Sequence, residues 1–363
     1  MKAEFTQRLG QLRQQMLDQE QQALLVFSLD HLRYLCNYSG EAAYGIVTLD
    51  QFFLITDYRF IEQAETECFE CQLICRNRDQ QSLGQAIRQV LDMQHISKLL
   101  FEAAHINLQM WSGLAQELSG ISCTSSAGLV EELRKTKDAW EIAQIRKAAA
   151  IADQALHDCM PLLCLGVSER DFALELEYRM QILGSEGLSF PSIVGFGPRS
   201  ALPHCIPTNK TLAEGDLIVI DFGAVVHGYR SDMTRSFVAG RASAQQRNIY
   251  NTVQQAQQAA LASLHAGQMA TVTSAAASDI LQASEFAAYT STGLGHGVGI
   301  QLHEQPFISP VCRDTLQTNY VVTIEPGIYI PGYGGVRIED DVLIQADGYS
   351  LITHAPKIFE LEI

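Results

Sequence analysis

Basic residues are scarce in this chain. Its 25 Lys and Arg stand against 41 Asp and Glu, a formal net charge of -16 over 363 residues. That shortage argues against a nucleic-acid backbone as partner, because such binding rests on Lys and Arg neutralising phosphates. Long apolar runs are missing as well. No stretch approaches the ~20 apolar residues of a membrane-spanning helix. The opening MKAEFTQRLGQLRQQMLDQEQQ has no uninterrupted apolar core of the kind a secretory signal needs, so a cytoplasmic protein is expected. Among the nine cysteines, Cys68, Cys71 and Cys75 are close together, but no second cluster completes a four-ligand zinc site. Reduced structural thiols are the expectation. What is present is a globular balance, 47% hydrophobic and 18% charged, in a chain long enough for two domains.

The first third alternates apolar and amphipathic runs. Segments 23–28, 45–56, 71–75 and 98–102 read as strands, with helices over 58–67, 80–93 and 106–118 between them. A compact α/β domain is expected, and it holds no nucleophile–base pair, phosphate loop or metal-ligand spacing. The small, polar run ending at Ala127-Gly128 marks a boundary, giving domains 1–128 and 129–363. Beyond it, Asp138 with Glu141 forms a capping-box pattern ahead of a helix over 138–160. Ser168 with Asp171 opens a second helix that Gly184 ends. A β-hairpin then runs from 215–223 into 229–237. The same order recurs: helices near 242–266 and 270–283, then apolar 319–327 and its return 334–344. Each hairpin carries a carboxylate at the end of an apolar strand, Asp221 and Glu325. Each return carries Arg two residues before an acid, Arg230 before Asp232 and Arg337 before Glu339. One duplicated α+β unit with internal pseudo-symmetry is expected.

A carboxylate at the end of an apolar strand is expensive to bury unless something positive neutralises it. Four of them converging would repel one another, and two divalent cations would cancel their charge. His296 sits in GLGHGVGI, where flanking glycines allow close backbone approach. His303 follows in LHEQP and His204 lies in LPHCIP. Carboxylate with imidazole is the ligand set expected for Mn, Co, Zn or Fe.

The segments FPSIVGFGPRSALPHCIP, IVIDFGAVVHGYRSDMTRSF, GLGHGVGIQLHEQP, VVTIEPGIYIPGYGGVRIEDD and THAPK resemble the proline-specific pita-bread metallopeptidases, the Xaa-Pro aminopeptidases and Xaa-Pro dipeptidases (prolidases). YLCNYSG and FFLITDYRFIEQA are similar to the creatinase/prolidase N-terminal domain. The resemblance implies an α+β fold: a C-terminal pita-bread domain with pseudo-two-fold symmetry, preceded by a smaller α/β domain. It implies two divalent metal ions, manganese first, held by Asp221, Asp232, His296, Glu325 and Glu339. It further implies that Glu325 shuttles a proton, that His204 and His303 steady the substrate carbonyl, and that Arg337 pairs with a metal-binding carboxylate. Peptides with proline in second position would be the substrates, and a homodimer the assembly. Cys205 stands where a small residue is usual, and Val311 where relatives often place an arginine that reads a substrate carboxylate. That missing arginine ranks the Xaa-Pro aminopeptidase first and the dipeptidase as its alternative. Methionine aminopeptidases generally lack the N-terminal domain, creatine amidinohydrolase lacks the full ligand set, and the inactive chromatin-associated relatives tend to lose ligands that are all present here.

Overall fold

The computed structural model describes residues 4–126 and 128–362; Ala127, at the expected boundary, lies outside them. The chain divides into two compact units, Met1–Arg134 and Lys135–Ile363. The helix Leu129–Lys135 thus falls almost wholly in the first unit, whereas the sequence placed the division after residue 128.

The first unit is a six-stranded mixed sheet in the order 72–75, 52–56, 44–48, 23–26, 98–102, 122–126. Ala23–Val26 pairs antiparallel with Tyr44–Thr48 and parallel with Lys98–Glu102, within the α/β domain that the alternation of strands and helices led one to expect. Apolar side chains of the central strands, among them Leu25, Ile46, Phe53 and Leu99, pack with Ile87 and Leu91 of the helix Leu83–Met93. Three elements had gone unread in the sequence. The helices Phe5–Asp18 and Leu29–Cys36 fall in segments that had no assignment. Ser122–Ser126 looks like a loop by composition, but its backbone pairs in parallel with Lys98–Glu102 at the sheet edge. An edge strand held by main-chain hydrogen bonds needs no apolar alternation to form.

In the second unit the expected caps are in place. Glu141 N–H donates to Asp138 at 2.8 Å and the Asp138 N–H to Glu141 at 2.9 Å, closing the box at the start of Ala139–Cys159. Helix Glu169–Ile182 starts at Ser168 and stops at Leu183, followed by Gly184 with φ +103°. The strands form two sheets that repeat the helix–helix–hairpin order. One holds Ile193–Phe196, Leu217–Phe222 and Met233–Ala239; the other is built around Val321–Ile324 and Asp340–Gln345. Each expected hairpin proves to be two: a separate pair at the tip (225–226 with 229–230, and 327–330 with 334–337) beyond another pair at the base. This break matters for the site. Asp232 and Glu339 sit where the chain leaves the tip pair and enters the base pair, so each side chain stands at a kink rather than within a regular ladder. Architecturally this is an α+β unit whose two halves repeat one plan, preceded by an α/β unit, the arrangement the resemblance implied.

Candidate metal centre

Asp221, Asp232, His296, Glu325 and Glu339 all line one cavity of about 990 Å³, and His204, His303 and Arg337 line it with them. Asp221 is the penultimate residue of the apolar strand Leu217–Phe222, paired opposite Thr234. Glu325 occupies the matching place after Val321–Ile324. His296 lies at the centre of the three-residue strand Gly295–Gly297, a strand that the glycine-rich sequence concealed. A Cβ added at Gly295 would stand 1.9 Å from the Thr323 carbonyl oxygen, and one at Gly297 2.3 Å from that of Gln305. Only glycine lets this strand lie so close to its neighbours and deliver the imidazole between them.

The Asp232, His296 and Glu339 ligand atoms lie within 4.8 Å of one another. His296 Nε2 is 3.6 Å from Asp232 and 3.4 Å from Glu325, while its Nδ1 is 3.1 Å from the Gly297 carbonyl. Donation from Nδ1 leaves the Nε2 lone pair facing the carboxylates, the orientation a metal-binding histidine requires. Burial lowers the His296 pKa, favouring the neutral ring. The acids move the other way. Burial, then repulsion from neighbouring carboxylates, pushes Asp232 and Glu339 well above the usual range, and burial pushes Glu325 up to about 7. Asp221 Oδ2 accepts from Arg337 at 2.6 Å, whereas its Oδ1 is buried without a hydrogen-bond partner. A crowded set of buried acids, one orphaned oxygen and one neutral imidazole fits divalent cations: they supply the positive charge that the protein side leaves short.

Around these groups runs a polar frame that sequence reasoning captured only at Arg337. Its guanidinium donates to Asp221, to Thr234 Oγ1 at 2.9 Å and to Tyr329 Oη at 2.8 Å; the Thr234 hydroxyl in turn donates to Glu339 at 2.6 Å. Thr323 Oγ1 accepts from the His296 N–H and donates to Glu325, both at 3.1 Å. Beneath lie two acids of the run Glu339-Asp340-Asp341 that went unread. Asp341 accepts from the Asp232 N–H at 2.8 Å. Asp340 is held by Arg235 at 2.8 Å and Lys357 at 2.6 Å. Three successive acids on an otherwise apolar return strand were the available signal. Arg235, Lys357 and the two threonines lie within the family-like segments, but their roles went unread because their partners are distant in the chain.

Two departures noted in the sequence take their places. Cys205 is only 2% exposed, yet it forms part of the cavity wall, its sulfur 3.2 Å from the Arg199 guanidinium. Val311 is 84% exposed, and neither it nor Arg313 is among the residues lining the cavity. The absent arginine that favoured the aminopeptidase therefore says nothing about this cavity.

Comparison with known proteins agrees with the geometry. Residues 143–346 match metallopeptidase family M24, and residues 8–136 match the creatinase/prolidase N-terminal domain. An Xaa-Pro dipeptidase of Pyrococcus furiosus is 41% identical over 62% of this chain and 65% of its own. The structure of an Xaa-Pro dipeptidase from Bacillus anthracis superimposes with a TM-score of 0.94 at 32% identity, covering 98% of this chain and all of that one. An X-Pro aminopeptidase from Thermotoga maritima gives 0.89 at 28% identity, over 94% of this chain and 98% of its own. With a cavity of acids and imidazole on the repeated hairpins, and a family model spanning most of the unit that carries it, the chain belongs to metallopeptidase family M24 and is a metallo-exopeptidase that works with divalent metal ions.

Proposed function

We propose that the protein is an Xaa-Pro dipeptidase, with Xaa-Pro aminopeptidase activity on longer peptides as the second reading. The observation that supports a peptidase of this kind is the convergence of four carboxylates and His296 on one cavity whose remaining wall is largely apolar, including Phe190, Ile193, Tyr289 and Phe307. Apolar and aromatic surface suits a proline ring beside a few fixed polar groups. The dipeptidase is preferred because the relatives above carry that name more often and because Val311 does not bear on the cavity.

Asp221, Asp232, His296, Glu325 and Glu339 would hold two metal ions, manganese first among Mn, Co, Zn and Fe. When bound, such ions polarise the scissile carbonyl and lower the pKa of water. The chain's own residues do the rest. Asp221 is fixed by Arg337, and Glu339 by Thr234, so two of the acids cannot swing aside. Glu325 carries a proton toward the leaving nitrogen on its carboxyl oxygen. His303, whose ring centroid is 4.3 Å from that of His296, and the exposed His204 face the cavity and steady the carbonyl oxygen as it gains charge. A homodimer, the assembly that the resemblance implies, is proposed with this activity.

Assaying Ala-Pro against Ala-Pro-Ala with Mn, Co and Zn tests the proposal. A higher kcat/KM on the dipeptide is expected. Preference for the tripeptide would restore the aminopeptidase, and cleavage of neither would sink both.

A further inference from the structure

The peptidase reading leaves the first unit without a chemical task, yet three of its thiols converge. Cys68-Phe69-Glu70-Cys71 has the C-x2-C spacing that recurs in thiolate metal sites. It forms the turn between the helix Ile61–Glu67 and the strand Gln72–Cys75. Glu70, at φ +58°, takes the left-handed conformation that tightens this turn. The third thiol comes from far away in sequence: Cys36 is the last residue of Leu29–Cys36. The Phe69 N–H donates to the Cys36 carbonyl at 3.0 Å, pinning the turn to the helix end. The three sulfurs lie within 4.8 Å of one another. Sulfurs sharing a tetrahedral zinc at Zn–S ≈ 2.3 Å are about 3.8 Å apart, so slight closure completes the geometry.

We propose that Cys36, Cys68 and Cys71 form a second metal site, taking a thiophilic cation of the zinc class with solvent at the fourth position. Cys36 is buried, whereas Cys68 and Cys71 are partly exposed, leaving a path for the ion and room for a water. A zinc-class ion binds thiolates, so the thiol protons leave as the ion arrives. Cys75, the exposed last residue of its strand, stays outside the cluster. The ligands assigned to the peptidase site are all oxygen or nitrogen, so ligand softness separates the two sites.

The test titrates the full-length, reduced protein with cadmium while its peptidase metal is in place. A sulfur-to-cadmium charge-transfer band should appear in the near ultraviolet and saturate at one ion per chain, and zinc added beforehand should suppress it. Oxygen and nitrogen ligands cannot produce that band. Cys71→Ser should remove most of it and weaken cadmium binding more than about 100-fold, beyond the loss of an outer hydrogen bond. Cys75→Ser should leave it intact, and both variants should hydrolyse Ala-Pro as the parent does. Cys36→Ser should also abolish the band; if that buried change prevents folding, the partly exposed Cys68→Ser and Cys71→Ser still decide. Absence of a band in the reduced parent, its survival in Cys71→Ser, or its equal loss in Cys75→Ser would overturn the site. So would a disulfide among these cysteines in protein purified without air.

Discussion

Replacing Glu339 with glutamine keeps the side chain's shape and removes one charge, and its effect should reverse sign with metal. Asp232 and Glu339 are 4% and 1% exposed, and their ligand oxygens lie within 4.8 Å. Two like charges at that distance repel by about 3.5 kcal/mol at an effective dielectric of 20, before Asp221 and Glu325 add to it. Protonation already relieves part of that strain in the metal-free protein. Glutamine still accepts the Thr234 hydroxyl that donates to Glu339 at 2.6 Å. The metal-stripped variant should therefore be about 1–3 kcal/mol more stable than the parent, worth roughly 2–4 °C per kcal/mol for a unit of this size. With metal the order inverts. The parent gains about 2.7 kcal/mol when free metal is at 100 times Kd, while the variant, lacking a proposed bridging ligand, loses most of that gain. Turnover should nearly vanish. Scanning calorimetry of both proteins, in chelator and in excess Mn, with metal content alongside, reads the result. A metal-free variant that melts below the metal-free parent would refute the electrostatic reasoning. A variant stabilised by Mn as much as the parent would refute the ligand assignment.

His303→Ala should lower kcat by roughly 10²–10³ while melting temperature and metal content barely move, since the ring faces the cavity rather than the core; a variant that is unfolded, or as active as the parent, removes that role. In the first unit, burial would raise the Glu131 pKa, but the 3.2 Å hydrogen bond from His105 and the nearby His31 outweigh it and hold Glu131 at about 2. The same bond chiefly raises His105. Glu131 thus stabilises the fold above its usual 4.5, a contribution lost as pH falls through about 2. His105 contributes below its usual 6.5, and that is lost as pH rises through its raised value. Glu131→Gln should cost about 1–2 kcal/mol near pH 5.5, discounted for partial exposure, and less at alkaline pH. Urea unfolding followed by Trp111 in a Trp140→Phe background measures it; a cost that does not change with pH contradicts the pairing.

Much of the fold was legible because its signals are local. Capping boxes at Asp138 and helical periodicity act within a few residues, and the carboxylates at strand ends stand out against apolar runs. Duplication made the two halves reinforce each other, so Asp221 and Glu325, Asp232 and Glu339 could be paired before any geometry was known. Ser122–Ser126 was illegible for the opposite reason: apart from Cys123 packing on the core, its support is main-chain pairing with a strand whose own sequence says nothing about that edge.

By itself, then, the sequence determined the chemistry on offer: four acids and an imidazole at places where burial without a counter-charge is costly. Tertiary structure alone decided how those groups are held. The Thr234 link to Glu339 and the Arg235–Asp340 pair each span about a hundred residues, and no periodicity anticipates them; for Arg337 the resemblance implied a carboxylate partner, and the fold selected Asp221. It also carried Val311 away from the cavity and Cys36 to the Cys68–Cys71 turn. A residue type states what bonds a side chain can make, whereas only the folded chain decides which partners come within 3 Å of it.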